Sequence, residues 1–316
     1  VHSLRFYSGF GCTVASELPL GGFDALSDSS ALPDVTIRLV TGAKPPLGQL
    51  PDEFAFQAND DACFWIRSGQ EIDVWLAPQA DMVLVTDILL GTAFAILLFQ
   101  RGQWPVHVSA VSVGGGVWLF SGQSGEGKST LAAWLNATRG WTILSDDAGV
   151  VSISEGRVWF SPGARNLKLL PDALGQLPAF QSHPDASRRS DTEGKHHFRL
   201  SRLALPNRLP VHGFFDLVSS VDGEPATVTT LQGAGALQAA RAALYRPWFG
   251  RNLCEPAETL KFCADVSRLM PMFRFARPRD YGRIAEINGL VATLMLPCST
   301  PVGHADSRAL GTVLPA

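Results

Sequence analysis

A chain of 316 residues is long enough for two modest domains or one large one, each burying its own core. Hydrophobic residues make up 46% and charged residues 17%, a balance that excludes the disordered and fibrous classes. The formal net charge of -3 excludes a strongly basic nucleic-acid coat or a polybasic membrane anchor. Lysine is scarce: only Lys44, Lys128, Lys168, Lys195 and Lys261 are present. Cys12, Cys63, Cys254, Cys263 and Cys298 form no C-x-x-C pair and no zinc spacing, so free, mostly buried thiols in a reducing cytoplasm are expected. No charged leader with an apolar core opens the sequence, which fits the same cytoplasmic expectation.

In chain order, residues 1–85 read as a small β-rich N-terminal domain, mainly antiparallel. The segments Asp34–Val40, Phe54–Gln57, Cys63–Arg67 and Glu71–Leu76 are short, rich in β-branched and aromatic residues, and divided by turn formers. The apolar stretch Met82–Phe99 is interrupted by Asp87. Its uncharged run, Ile88–Phe99, is too short for a bilayer about 30 Å thick, so a buried core helix over Thr86–Gln100 is expected and no membrane partner. Residues 86–300 then form the second domain and 301–316 a flexible tail.

Within that domain, strands are predicted at His107–Val113 and Val117–Phe120, joined by three glycines. A helix follows over Ser129–Asn136, with Leu131, Trp134, Leu135 and Thr138 at helical spacing. Trp141–Leu144 reads as a strand ending in Ser145-Asp146-Asp147, and Val150–Ile153 with Val158–Phe160 as a hairpin. Residues 182–202 are polar and basic and read as a mobile loop running into a strand near His197–Leu200. Further strands are expected at Val211–Ser219 and Phe273–Ala276, with helices at Leu231–Tyr245 and Arg283–Leu296.

The sharpest motif is Gly122-Gln123-Ser124-Gly125-Glu126-Gly127-Lys128-Ser129, an unbroken G-x-x-x-x-G-K-[ST] string followed by Thr130. Its glycines let backbone N–H groups curl around phosphate oxygens, and the following helix aims its positive end at the same anion. Lys128 would reach the β- and γ-phosphates of ATP, and the Ser129 hydroxyl would reach Mg²⁺. The string sits between an apolar strand and a helix, the context the motif requires. Asp146 and Asp147 end the next strand, where carboxylates can serve the metal and accept the proton of an attacking hydroxyl.

The combination of His107-Val108-Ser109-Ala110, the phosphate loop, Arg139-Gly140-Trp141 and Ser145-Asp146-Asp147 resembles the HPr kinase/phosphorylase family. That resemblance implies an α/β fold with a P-loop kinase core related to phosphoenolpyruvate carboxykinase. It implies His107 beside the transferred phosphoryl group, Lys128 on the phosphates, and Ser129, Asp146 and Asp147 sharing metal contact. Hydroxyl activation falls to the aspartate pair, with a lean towards Asp146. The opening Tyr7–Leu20 further resembles the kinases found with lasso peptide biosynthesis, whose acceptor is a serine at the C-terminal end of a precursor peptide. The chain has no counterpart of the long glycine-bearing signature of the HPr kinases, so reverse phosphorylase chemistry and a hexamer are not implied.

The expectation is therefore an ATP- and Mg²⁺-dependent serine kinase acting on a peptide or protein, without nucleic acid, and as a homo-oligomer if it assembles at all. A small-molecule kinase on the same fold, or a non-catalytic nucleotide-binding regulator, are the alternatives. Arg165 and Lys195 are the candidate substrate contacts, and the aromatic run Tyr245, Trp248, Phe249 is expected to be packing.

Overall fold

The computed structural model describes residues 3–27, 32–50, 52–181, 186–190, 194–200, 206–221, 224–250 and 253–295. The expected tail at 301–316 and Cys298 lie outside them. Among the described residues, eight N-terminal strands form one sheet. Its order runs Asp24–Ala25, Arg5–Gly9, Cys12–Ser16, Val35–Leu39, Glu71–Leu76, Ala62–Arg67, Glu53–Ala58, Gly48–Leu50. Hairpins make most pairings antiparallel, as expected. Val35–Leu39 is the exception, running parallel to both of its neighbours.

One face of this sheet carries Val14, Val35, Ile37, Ile72 and Val74, all fully buried. What covers them is the apolar helix. It runs from Met82 to Gln100 as two α-helical stretches joined by a π-helical turn at Leu89–Ala93. The helix starts four residues earlier than the periodicity suggests because the Asp81 carboxylate caps the N–H groups of Val83 and Leu84. By length and composition it could cross a membrane, but two-thirds of its apolar window is buried inside the protein. Phe94 anchors it, stacked on Phe10 at 5.3 Å and edge-on to Phe23 at 5.2 Å between ring centroids. The same core continues into Ala148, Val150 and Tyr245, so sheet, helix and C-terminal region share one packed interior.

The second sheet holds the phosphate loop. Its order is Thr142–Ser145, Ser109–Val113, Gly116–Ser121, Leu209–Ser219, Arg157–Pro162, Gly149–Ser154, Trp104–Val106. The long strand Leu209–Ser219 also pairs in parallel with Met272–Arg277, which pairs with Thr227–Thr230. Both faces are covered. Trp118 and Phe120 pack with Leu131, Trp134 and Leu135 of the helix Lys128–Arg139, whereas Val117 and Leu119 pack with Ala236, Ala239 and Cys263 on the other side. That two-sided burial explains why Val117–Phe120 is apolar without alternation.

Further local readings differ from the structure. His107 and Val108 connect two strands, Trp104–Val106 and Ser109–Val113, and belong to neither. The amphipathic helix Pro256–Leu269, with Cys263 and Val266 on its buried face, went unread. Within the basic stretch the strand expected near His197–Leu200 is present as His196–Arg199, but Ala186–Ser190, expected as loop, is also a strand, and both pair in a three-stranded sheet with Asn166–Leu169. Residues 182–185, 191–193 and 201–205 lie outside the described set. Cys12, Cys63 and Cys263 are buried free thiols, and Cys254 is half-buried.

Phe94→Ala removes the ring that joins helix and sheet. It is expected to lower stability by about 3–5 kcal/mol, read as the shift in urea midpoint. A change near zero would show that the helix is not anchored there.

Candidate phosphoryl-transfer site

The strand Gly116–Ser121 runs into the loop 122–127, and Lys128–Arg139 follows as a helix. Gly125 and Gly127 have φ of 86° and 75°, in the left-handed region that favours glycine. Gly122 is constrained by space as well, since a Cβ there would lie 2.6 Å from the Leu217 carbonyl oxygen. Lys128 folds back over the loop, donating from Nζ to the carbonyls of Gly122 at 2.8 Å and Gln123 at 3.2 Å. Burial pushes its ammonium below the usual range and nearby Lys195 adds to that, while Asp146 and Asp147 oppose it. Gln123, Ser124 and Gly125 face solvent at the loop tip, and Thr130 lies in the first helical turn. The Glu126 carboxylate turns aside to accept from Ser219 and Arg279.

The strand Thr142–Ser145 runs in the same direction as the loop strand but is separated from it by the antiparallel Ser109–Val113. The two are therefore parallel but not adjacent. The connection through the middle strand has a consequence: Asp146 Oδ1 accepts hydrogen bonds from both Ser109, on that strand, and Ser129, on the loop helix, the latter at 2.9 Å. The backbone N–H of Lys168 donates to Oδ2 at 3.1 Å. Burial raises the Asp146 carboxyl above its usual range despite these three donors. A carboxylate so placed beside the Ser129 hydroxyl is a fitting ligand pair for Mg²⁺, a hard cation that takes oxygen donors.

Asp147 goes the other way. Its backbone has φ of 94°, and its Oδ1 lies 3.1 Å from His107 Nδ1, which is also 2.9 Å from the Asp147 carbonyl oxygen. The Asp147 side chain is 38% exposed, so solvent reaches it. Burial acts to raise its carboxyl, but the His107 hydrogen bond and charge, then Lys168 and Arg246, hold it below the usual carboxylate range. The adjacent pair is thus split into a buried, loop-facing carboxyl and an open, ionised one.

Both line a cleft with Asp87, Leu90, Gly91, Asn166 and Lys168. Lys168 Nζ donates to Asp87 Oδ2 at 2.9 Å, and His197 Nδ1 lies 3.9 Å from the same oxygen. Asp87 comes from the apolar helix, one residue before Ile88 and the π-helical turn. Such turns often mark functional places in a helix. Ser109, Asp87, Lys168 and Arg277 were not read as site residues. Asp87 had a signal as the one acid in an apolar run, and Lys168 as one of five lysines. Arg277, which contacts the loop carbonyls, had none.

The two candidate substrate residues part company. Lys195 is close enough to act on the Lys128 charge. Arg165 lies on the opposite side of its segment from Ala164 and Asn166, and lines a second crevice with Ser8, Gly9, Gly11 and Asp24. It does not reach the cleft of the aspartate pair. Tyr245 is buried beside His107, with ring centroids 5.6 Å apart, and Phe249 packs edge-on to Phe54. Trp248 is 56% exposed and departs from the packing expectation.

No family model matches the chain, and no curated protein matches it. Among solved structures, the chain is similar to the Hpr(Ser) kinase/phosphatase from Coxiella burnetii at 14% identity and a TM-score of 0.29. That similarity covers 60% of this chain and 95% of the other. At that level no residue-by-residue correspondence follows. What the geometry itself defines is an α/β protein with a phosphate-loop core and a β-rich N-terminal sheet.

Burial would lower the Lys168 ammonium, but Asp87 and Asp147 outweigh it and hold its pKa above the ordinary 10.5. A raised folded value means stabilisation that is complete below the unfolded pKa and lost as pH rises through the folded one. Lys168→Met is expected to cost about 1–3 kcal/mol near neutrality, with the gap to wild type closing above about pH 10.5. A gap in urea midpoint that stays constant from neutral to strongly alkaline pH would contradict the pairing.

Proposed function

We propose that this chain is an ATP- and Mg²⁺-dependent kinase of the HPr-kinase-like type, transferring a phosphoryl group to a serine hydroxyl of a peptide or protein. The C-terminal serine of a lasso precursor peptide is the candidate acceptor, on the strength of the opening motif. One observation carries the reading: the loop helix and the aspartate pair meet through the Ser129–Asp146 hydrogen bond, with Asp147 open on the far side.

In this reading Gly122, Gly125 and Gly127 shape a loop whose N–H groups and helix end receive the phosphates. Lys128 exchanges its bonds to the loop carbonyls for phosphate oxygens. Ser129 and Asp146 would hold Mg²⁺, which when bound neutralises charge developing on the phosphates. Asp147, ionised and reachable, orients the acceptor serine and takes its proton, and His107 fixes the Asp147 carboxylate. This reverses the earlier lean towards Asp146 as base, because that carboxyl is buried and already engaged by three donors. A hydroxyl loses its proton late in phosphoryl transfer, so a base with a low pKa is adequate.

The test is mass spectrometry of serine-bearing peptides, including lasso precursor C-termini, after incubation with ATP and Mg²⁺. Wild type is expected to give a phosphopeptide. Asp147→Asn should reduce the rate about 10²–10⁴-fold, and Lys128→Ala should abolish it. Tight nucleotide binding without any phosphopeptide would favour a nucleotide-binding regulator instead.

A further inference from the structure

We propose that Arg277 is a positioning residue of the phosphate loop, orienting its N–H groups for the nucleotide from behind. Arg277 ends the strand Met272–Arg277, far from the motif in sequence. Its Nη2 donates to the carbonyl oxygens of Glu126 at 2.9 Å and Gly127 at 3.2 Å, and its Nη1 donates to Asn288 Oδ1 at 2.9 Å. Asn288 is fully buried on the helix Ile284–Met295, so the guanidinium is itself held from behind.

The peptide plane transmits this contact. A carbonyl oxygen and the N–H of the next residue are trans within one rigid plane. Pinning the carbonyls of Glu126 and Gly127 towards Arg277 therefore turns the N–H groups of Gly127 and Lys128 away from it. Those are the groups at the start of the loop helix, where an anion is best received. Gly127 has a second reason to be glycine here, since a Cβ would lie 2.8 Å from Arg277 Nη2.

Charge points the same way. Among the described residues the guanidinium is hydrogen-bonded to neutral oxygens, and no carboxylate pairs with it at salt-bridge distance. Burial pushes its pKa down to about 10, with Glu126 only partly opposing. A cation short of counter-charge behind an anion-binding loop is relieved when phosphate arrives on the other side.

The inference rests on the loop's binding nucleotide phosphates, and the test separates the two. ADP with Mg²⁺ is titrated into wild type, Arg277→Met, Arg277→Lys and Asn288→Ala by calorimetry, at a temperature where each is folded by circular dichroism. Wild type should bind. Arg277→Met should bind about tenfold or more weakly, with Arg277→Lys and Asn288→Ala in between, so the series stays readable if the first variant does not fold. In the peptide assay the nucleotide KM should rise while the peptide KM stays put. Nucleotide affinity equal to wild type in the folded variants, with only melting temperature altered, would make Arg277 a structural residue and overturn the inference. Failure of wild type itself to bind would overturn the functional reading beneath it.

Discussion

The Asp146 carboxylate is the junction on which the site depends. It is buried, and a buried carboxylate is costly unless donors surround it. Three elements supply them: Ser109 from the middle strand, Ser129 from the loop helix and the Lys168 N–H from the three-stranded sheet. That arrangement fixes the distance between phosphate loop and aspartate pair without direct strand pairing. Burial nevertheless raises Asp146 and lowers Lys128, so each charge is poorly satisfied alone. Under the proposed function, a nucleotide with its metal would relieve both.

Around this junction the N-terminal sheet serves as more than an appendage. The helix Met82–Gln100 buries its apolar surface against that sheet while its Asp87, Leu90 and Gly91 line the cleft of the catalytic candidates. The Asp87–Lys168 pair then joins the helix to the sheet that supplies a donor to Asp146. Packing in the N-terminal core and geometry at the aspartate pair are therefore mechanically continuous.

The part of the site that is contiguous in sequence was legible there. Gly122 to Ser129 form one loop because their glycines and helix start are local features, and Asp146-Asp147 follow one helix later. Long-range contacts were not legible. Arg277 reaches the Gly127 carbonyl across 150 residues through sheet pairing that no local pattern specifies. The different settings of the two aspartates were equally hidden, since they depend on which one Ser109, Ser129 and the Lys168 N–H engage. In the fold, strongly periodic segments such as Glu71–Leu76 matched to the residue. The helix Pro256–Leu269 is amphipathic, with Cys263 and Val266 on its buried face, and was missed although its spacing is helical.

The most direct test of the junction is the Mg²⁺ dependence of ATP affinity, measured by calorimetry with Mg²⁺ present and with it removed by chelation. Wild type is expected to bind ATP more tightly with Mg²⁺, and Asp146→Asn to lose most of that gain while still binding metal-free nucleotide. An Asp146→Asn protein whose affinity responds to Mg²⁺ as fully as wild type would contradict it.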